Sequence, residues 1–536
     1  MNDDRIFLYD CTLRDGAQTQ GVDFTVADKG ALARELDALG VDYVEGGWPG
    51  ANPTDDTFFH TPPLLTQARL TAFGMTRRNG RSAANDPGLN VLLHSGARVI
   101  TLVGKSWDFQ VKVALGAELD ENLRMIHDSV THVAARVDEV LFDAEHFFDG
   151  FKANPDYALA CLRTAYAAGA RWVVLCDTNG GGLPFEIEAI VGQVTAHVPG
   201  SHLGIHCHND TDNAVASSLA AVRAGVRQVQ GTVNGLGERC GNANLTSIIP
   251  NLVLKMGCRT GVGTDALTRL VYISRVLDER LNQAPRRNAP YVGEAAFAHK
   301  GGLHASAVAK DPRCYEHITP EQVGNHRQIL VSDQAGRASI LARFREIGLL
   351  FDPADARVDT LVNDVKSREY QGYTYDGADA SFELLARRAL GLVHTFFLVQ
   401  SFRVIDEWRP TSAGTVETIT EATIKAEIHG TLVMTVAEGN GPVHALDSAL
   451  RKALAPVYPA LNDLKLIDYK VRILTPEAAT AAVIRVMIES SDSHGHRWGT
   501  VGVSTNVIEA SYHALNDSLT YRLLRDAAET MKDHPA

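Results

Sequence analysis

At 536 residues the chain is long for a single domain, and its 45% hydrophobic and 21% charged content is that of a folded protein, not a disordered one. With 51 Lys and Arg against 64 Asp and Glu, the formal net charge of −13 argues against nucleic acid as a partner, because phosphate binding needs a basic face. No apolar run approaches the roughly 18 residues of a spanning helix, so no membrane partner is expected. The seven cysteines are scattered and never spaced C-x-x-C, and the opening MNDDRIFLYD carries no basic-then-apolar leader. Both features point to reduced thiols in the cytoplasm.

From residue 5 to about 235, eight short apolar runs recur: RIFLYD, VDYVEGG, RLTAFG, RVITLVGK, EVLFDAEH, WVVLCDTNG, HLGIHCHND and QVQGTVNG. Helix-period stretches such as FTVADKGALARELDALG separate them. The runs do not alternate, as expected of strands buried on both faces. Eight such units predict an α/β fold, a (β/α)8 barrel, with an open doubly wound sheet as runner-up. Polar residues gather at the C-terminal ends of the runs, the face on which barrel enzymes build their sites, and this favours the barrel. Helical patterns follow in TSIIPNLVLKMG and TDALTRLVYISRVLDERL, and residues 285–332 show little periodicity. Helices are expected again in QAGRASILARFREIG and DASFELLARRAL. From about 392, two rounds of three strand-like runs and a helix predict an α+β domain of two βββα repeats. Val443, Ala445, Ala449, Leu450 and Leu454 of the first helix align with Ile508, Ala510, Ala514, Leu515 and Leu519 of the second. The expected division is 1–275 for the barrel, 276–390 for linker subdomains and 391–536 for the C-terminal domain.

The sharpest chemical feature is HLGIHCHND. His206 and His208, two apart on a strand, face one side and can share a metal, although two hydrogen-bonded histidines at a strand end fit the spacing equally well. Asp10, Arg14 and Asp15 follow the first run, which neighbours the eighth in a closed barrel, so a carboxylate there can complete the ligand set. A capping and salt-bridge turn is the structural alternative. Glu45 closes the second run and is expected to pair with Arg14; Glu145 closes the fifth and is expected to take part in chemistry. Thr178 and Asn179 follow the sixth. VNGLGERCGNANL lacks the dinucleotide spacing, so no redox cofactor is expected, while Asn242 stands near enough in sequence to approach a metal.

TLRDG, HCHND and NGLGERCGNANL together resemble the metal-dependent acyl-CoA Claisen enzymes of the isopropylmalate/homocitrate synthase (DRE-TIM metallolyase) family, and the resemblance spans essentially the whole chain. VEGGWPGANP and FDAEHFFDGF are similar to the citramalate-forming branch, and AEGNGPVHALDSAL and RWGTVGVSTNVIEASYHAL to the family's amino-acid-sensing domain. The resemblance implies a divalent metal ion (Zn, Mn or Mg) held by Asp15, His206 and His208, with Asn242 a more distant fourth. It implies Arg14 as catalytic arginine and Glu145 and Thr178 in the oxo-acid pocket. His304 of GGLHAS would be a catalytic histidine, often supplied by the partner subunit, with Tyr315 as its companion. Expected partners are acetyl-CoA, pyruvate and an inhibitory isoleucine, in a homodimer. Isopropylmalate synthesis from 2-oxoisovalerate is the same-chemistry alternative, and a non-catalytic metal-binding amino-acid sensor the alternative from another class.

Overall fold

All eight apolar runs form strands in the computed structural model, which describes residues 5–300, 302–329, 341, 343, 344, 348, 355–410 and 416–533. They are β1 (Phe7–Asp10), β2 (Tyr43–Gly47), β3 (Arg69–Met75), β4 (Val99–Lys105), β5 (Glu139–Glu145), β6 (Trp172–Asp177), β7 (Leu203–Cys207) and β8 (Gln228–Gly231). Every neighbouring pair is parallel, and β8 pairs back onto β1 with Phe7 opposite Gln228, closing the barrel. The open-sheet runner-up is thereby excluded.

Alternation along each strand sorts the side chains. Leu8, Val44, Ile100, Phe142, Val173, Ile205 and Val229 point outward into the layer shared with the helices. Phe7, Tyr43, Val99, Leu141 and Trp172 point inward and fill the lower barrel. There the Trp172 indole N–H donates to Tyr43 Oη at 3.1 Å, and Tyr43 donates to Glu139 at 2.8 Å. Several surrounding helices begin on a cap residue followed by proline. Asn52–Pro53, Asp86–Pro87 and Asn154–Pro155 each place a side-chain acceptor on a free N–H of the first turn, where the missing proline donor is harmless.

Two compact units are present: residues 1–297 with 318–327, and residues 298–317 with 328–536. The second contains a short parallel bridge between β9 (Ala298–His299) and β10 (Gln328–Ile329), and a helix over Gly302–Lys310. That helix falls in a stretch read as having little periodicity. Val308 is buried while Leu303 is 78% exposed, so the helix carries no continuous apolar stripe for a sequence reading to detect. Most of the helix expected in QAGRASILARFREIG lies outside the described residues; the one expected in DASFELLARRAL spans Asp379–Ala389.

Both βββα repeats form. β11 (Phe397–Pro410), β12 (Val416–Ile428) and β13 (Thr431–Gly439) make one antiparallel sheet, with the helix Pro442–Leu454 following. β14 (Lys465–Ile473), β15 (Ile484–Ser491) and β16 (Arg497–Ser504) make the other, followed by Val507–Asp533. Ala445, Ala449, Leu450 and Leu454, with their aligned Ala510, Ala514, Leu515 and Leu519, are all buried in one core. Thr435 Oγ1 donates to the Ala449 carbonyl and Thr500 Oγ1 to the Ala514 carbonyl, each at 2.9 Å, which repeats one contact at a shift of 65 residues. The outer edge of β16 is covered: Gly499 N–H donates to Asp379 and Val501 N–H to Ser381, both from the helix Asp379–Ala389. Gly499 is required there, since a Cβ would lie 1.9 Å from the Gly377 carbonyl oxygen. No helix among the described residues is long and apolar enough to cross a membrane.

Leu450→Ala and Leu515→Ala, being equivalent core truncations, are each expected to cost about 2–5 kcal/mol. Urea denaturation followed by circular dichroism measures both.

Candidate metal and acceptor site

The C-terminal ends of the strands converge on a cavity of about 300 Å³. Arg14, Asp15, Glu145, Thr178, His206 and His208 all line it. His304 and Tyr315 belong to the other compact unit. Their rings meet at a tilt of 34° with centroids 4.2 Å apart, His304 exposed and Tyr315 45% exposed.

Arg14 is clamped on two sides. Its Nε donates to Glu45 Oε2 at 2.7 Å, and its guanidinium carbon stands 3.8 Å above the Phe73 ring. Glu45 is fully buried and also accepts from Tyr9 Oη at 2.7 Å, while Tyr9 meets Thr101 Oγ1 at 2.8 Å. The expected pairing of Glu45 with Arg14 is present. Burial works against the charge on Arg14, but Glu45 and then Asp15 more than offset it, so the guanidinium stays charged.

Asp15 Oδ2 lies 3.2 Å from His206 Nε2 and 4.0 Å from His208 Nε2. Burial alone would raise the Asp15 carboxyl; Arg14, His206 and His208 together hold it well below the usual carboxylate range. Burial and the neighbouring His206 push His208 down to about 4, leaving a neutral imidazole with a free lone pair at neutral pH. His206 Nδ1 meets Gln230 Oε1 at 2.8 Å, and Gln230 Nε2 donates to Asp143 at 3.3 Å, which orients the ring with Nε2 toward Asp15. Burial lifts Asp143 to about 7.

Asn242 forms an isolated bridge with His208. Its amide nitrogen donates to the Leu236 carbonyl at 3.1 Å, while its Oδ1 is buried without a hydrogen-bond partner, as is His208 Nδ1. Gly237 makes room for the amide, since a Cβ would come within 2.2 Å of Asn242 Nδ2. The orphaned amide oxygen of Asn242 fits a cation, because a buried unpaired acceptor is otherwise costly. Cys11 Sγ also stands within 4.8 Å of Asp15 and His206 ligand atoms. It donates to the Gly231 carbonyl at 3.2 Å, and burial raises its thiol well above the normal range, so it stays protonated. The donor set of one carboxylate, two imidazoles and an amide oxygen suits a hard or borderline divalent ion.

On the opposite wall Glu145 is ion-paired with Lys105. His146, at an uncommon φ of 55°, turns the chain after β5 so that its N–H donates to Thr178 Oγ1 at 2.8 Å. The Thr178 hydroxyl is thereby left to donate its own proton elsewhere. Arg239 pairs with Asp210 and donates to the Thr178 carbonyl. The cations on the cavity wall are therefore all matched by carboxylates. Trp48, Phe73, Met75 and Val103 supply its apolar part. Asp143 and Gln230 were not singled out from sequence, and Trp48 figured there only within VEGGWPGANP. Asp143 precedes Glu145 by two positions on an inward-facing register, which is the signal that would have found it.

Residues 5–273 match the family model described as HMGL-like, residues 291–372 the homocitrate synthase post-HMGL domain-like model, and residues 376–523 the LeuA allosteric (dimerisation) domain. The barrel and its polar mouth are thus those of an HMGL-like enzyme. An (R)-citramalate synthase of Geobacter sulfurreducens is 51% identical, with 96% of this chain and 97% of the relative aligned. One from Aquifex aeolicus is 49% identical over 98% and 99% of the two chains. A 2-isopropylmalate synthase of Methylorubrum populi is 32% identical over 91% and 90%. The chain belongs to the (R)-citramalate synthase family, and it is an acyltransferase-type condensing enzyme.

Glu45→Ala is expected to destabilise the protein by about 3–5 kcal/mol, because it leaves a buried guanidinium without its nearest counter-charge. Thermal and urea denaturation measure the loss, and Glu45→Gln, which keeps a hydrogen-bond acceptor, is expected to lose less.

Proposed function

We propose that the enzyme condenses acetyl-CoA with pyruvate and hydrolyses the resulting thioester to (R)-citramalate and CoA, at the head of a pyruvate route to isoleucine. The observation that carries the reading is Arg14, fixed by Glu45 and Phe73 beside Asp15, His206 and His208 in a small, partly apolar cavity. The matched cations of the wall support an acceptor with one carboxylate, since the second carboxylate of 2-oxoglutarate would meet no unpaired charge there.

Asp15, His206 and His208, with Asn242 more distant, would hold a divalent ion (Zn, Mn or Mg). When bound, it supplies Lewis-acid polarisation of the oxo acid's carbonyl. Arg14 stabilises the negative charge that grows on the carbonyl oxygen during attack. The Thr178 hydroxyl, its oxygen already engaged by His146 N–H, donates to the acceptor's carboxylate, and Glu145 flanks the acceptor from its Lys105 pair. We assign removal of the thioester methyl proton to His304 assisted by Glu145, with Tyr315 positioning the thioester. The carbon pair so released forms the new bond to C2 of pyruvate as the carbonyl π pair moves onto oxygen. Water then displaces CoA as the free thiol.

We propose further that residues 1–275 are the catalytic barrel, 276–390 the linker subdomains that supply His304 and Tyr315, and 391–536 a domain that senses isoleucine and joins a homodimer in which His304 serves the partner's barrel. The buried thiols of Cys11, Cys161, Cys176 and Cys207 suit the reducing cytoplasm.

CoA-thiol release from acetyl-CoA, measured with pyruvate, 2-oxobutyrate, 2-oxoisovalerate or 2-oxoglutarate and with or without divalent metal, tests the reading. Metal-dependent release strongest with pyruvate is expected, and added isoleucine should suppress it. Strongest release with 2-oxoisovalerate would move the enzyme to isopropylmalate synthesis, and no release with any acceptor would refute the condensation. His208→Ala and Asp15→Ala should lose bound metal, read by elemental analysis, together with turnover. Mixing Arg14→Ala with His304→Ala chains should recover activity in the heterodimer; none recovered counts against a shared site.

A further inference from the structure

A second cavity of about 480 Å³ adjoins the reaction cavity within the barrel unit, lined among others by Thr76, Arg77, Leu115 and Met125. Trp48 and Met75 are the two residues that line both. They form the partition between a cavity of about 300 Å³ that already holds the metal ligands and Arg14, and a larger space behind it.

The partition is braced. Trp48 leaves β2 with its backbone N–H donating to Asp55 Oδ2 at 2.8 Å, and Asp55 is ion-paired with Lys29 out of contact with water. Lys29 Nζ donates also to the Gly46 carbonyl at 3.0 Å, and Asn52 Nδ2 to Asp55 Oδ2 at 3.0 Å. The turn that carries Trp48 is thus tied at three points to a buried charge pair. The indole meets the Phe73 ring edge-on, with centroids 5.4 Å apart and planes at 78°. Phe73 in turn lies beneath Arg14, so the indole cannot swing aside without disturbing the arginine's support. Met75 is unbranched and 38% exposed, and is the yielding half of the wall.

We infer that Trp48 and Met75 set the upper size limit of the oxo-acid acceptor, by closing the small reaction cavity off from the larger one beside it. This rests on the proposed condensation. On this inference the methyl group of pyruvate stays clear of the wall, whereas the branched chain of 2-oxoisovalerate or 2-oxoisocaproate is pressed against it. An apolar pocket distinguishes single methylenes weakly, so a rigid aromatic wall is what a sharper limit requires.

The test measures kcat/KM for pyruvate, 2-oxobutyrate, 2-oxoisovalerate and 2-oxoisocaproate, and KM for acetyl-CoA, on the metal-loaded full-length enzyme and on Trp48→Ala, Trp48→Phe and Met75→Ala. In Trp48→Ala the preference for pyruvate over 2-oxoisovalerate should fall by about tenfold or more. A smaller fall in the same direction is expected in Met75→Ala and in Trp48→Phe. A preference within about twofold of the parent in both Trp48→Ala and Met75→Ala overturns the inference. So does a rise in KM for acetyl-CoA with acceptor preference unchanged, which would make the wall a thioester contact. If Trp48→Ala is inactive with every acceptor because Arg14 has lost its support, Met75→Ala decides alone, on the same criterion. A parent enzyme inactive with pyruvate would overturn the proposed condensation instead.

Discussion

Arg14 is a charge placed where water scarcely reaches, and the rest of the barrel mouth is arranged around keeping it there. Glu45 neutralises it from below, Tyr9, itself bonded to Thr101, holds Glu45 in turn, and Phe73 supports the flat face of the guanidinium. A buried ion pair of this kind gains little over apolar packing, because desolvation takes back most of the attraction. Its value lies in direction. The delocalised charge is held at one place and one tilt beside Asp15, whose carboxylate it keeps ionised and able to serve as a ligand. Electrostatic stabilisation of a developing oxyanion needs a donor already in position before the reaction begins, and this clamp provides one.

The inward side chains change character up the barrel axis. Phe7, Tyr43, Val99, Leu141 and Trp172 plug the lower end, and above them sit Tyr9, Glu45, Thr101, Asp143, His206 and Gln230, linked to one another by hydrogen bonds or ion pairs rather than by contact alone. The apolar plug keeps water out from below, which strengthens each of those polar links. The mouth is polar because the plug is not, and both follow from the single alternation of seven, nine, eleven along β1 and its counterparts along the other strands.

The barrel was legible because its signals are local. Eight apolar runs, their polar ends and the intervening amphipathic helices can each be read within a short window, and so can the paired helices of the βββα repeats. The Arg14–Glu45 pairing was legible because β1 and β2 are consecutive in chain and sheet. What escaped the sequence depends on the register between parallel strands. Lys105 stands opposite Glu145 across β4 and β5, and nothing in either strand alone says which residues will face each other. The Asp143–Gln230–His206 chain crosses the barrel lumen and is visible only once the sheet has closed. Trp48 was visible within VEGGWPGANP, but its direction was not: it lies in the turn after β2, where no periodicity marks which way an indole will point.

The two βββα repeats share a backbone and a core, yet they do not bear mutation alike. At the shift of 65 residues that relates Thr435 to Thr500, Gly499 corresponds to Met434. The glycine is locked beneath the backbone of Gly377, while the methionine is 70% exposed on the matching strand of the first repeat. The helix Asp379–Ala389 covers the edge of β16, so the two halves differ in what they tolerate. Position 499 is held to glycine by its neighbour, whereas position 434 carries a large exposed side chain. The two repeats therefore have a defined left and right, and exchanging them in the chain would not give back the same molecule.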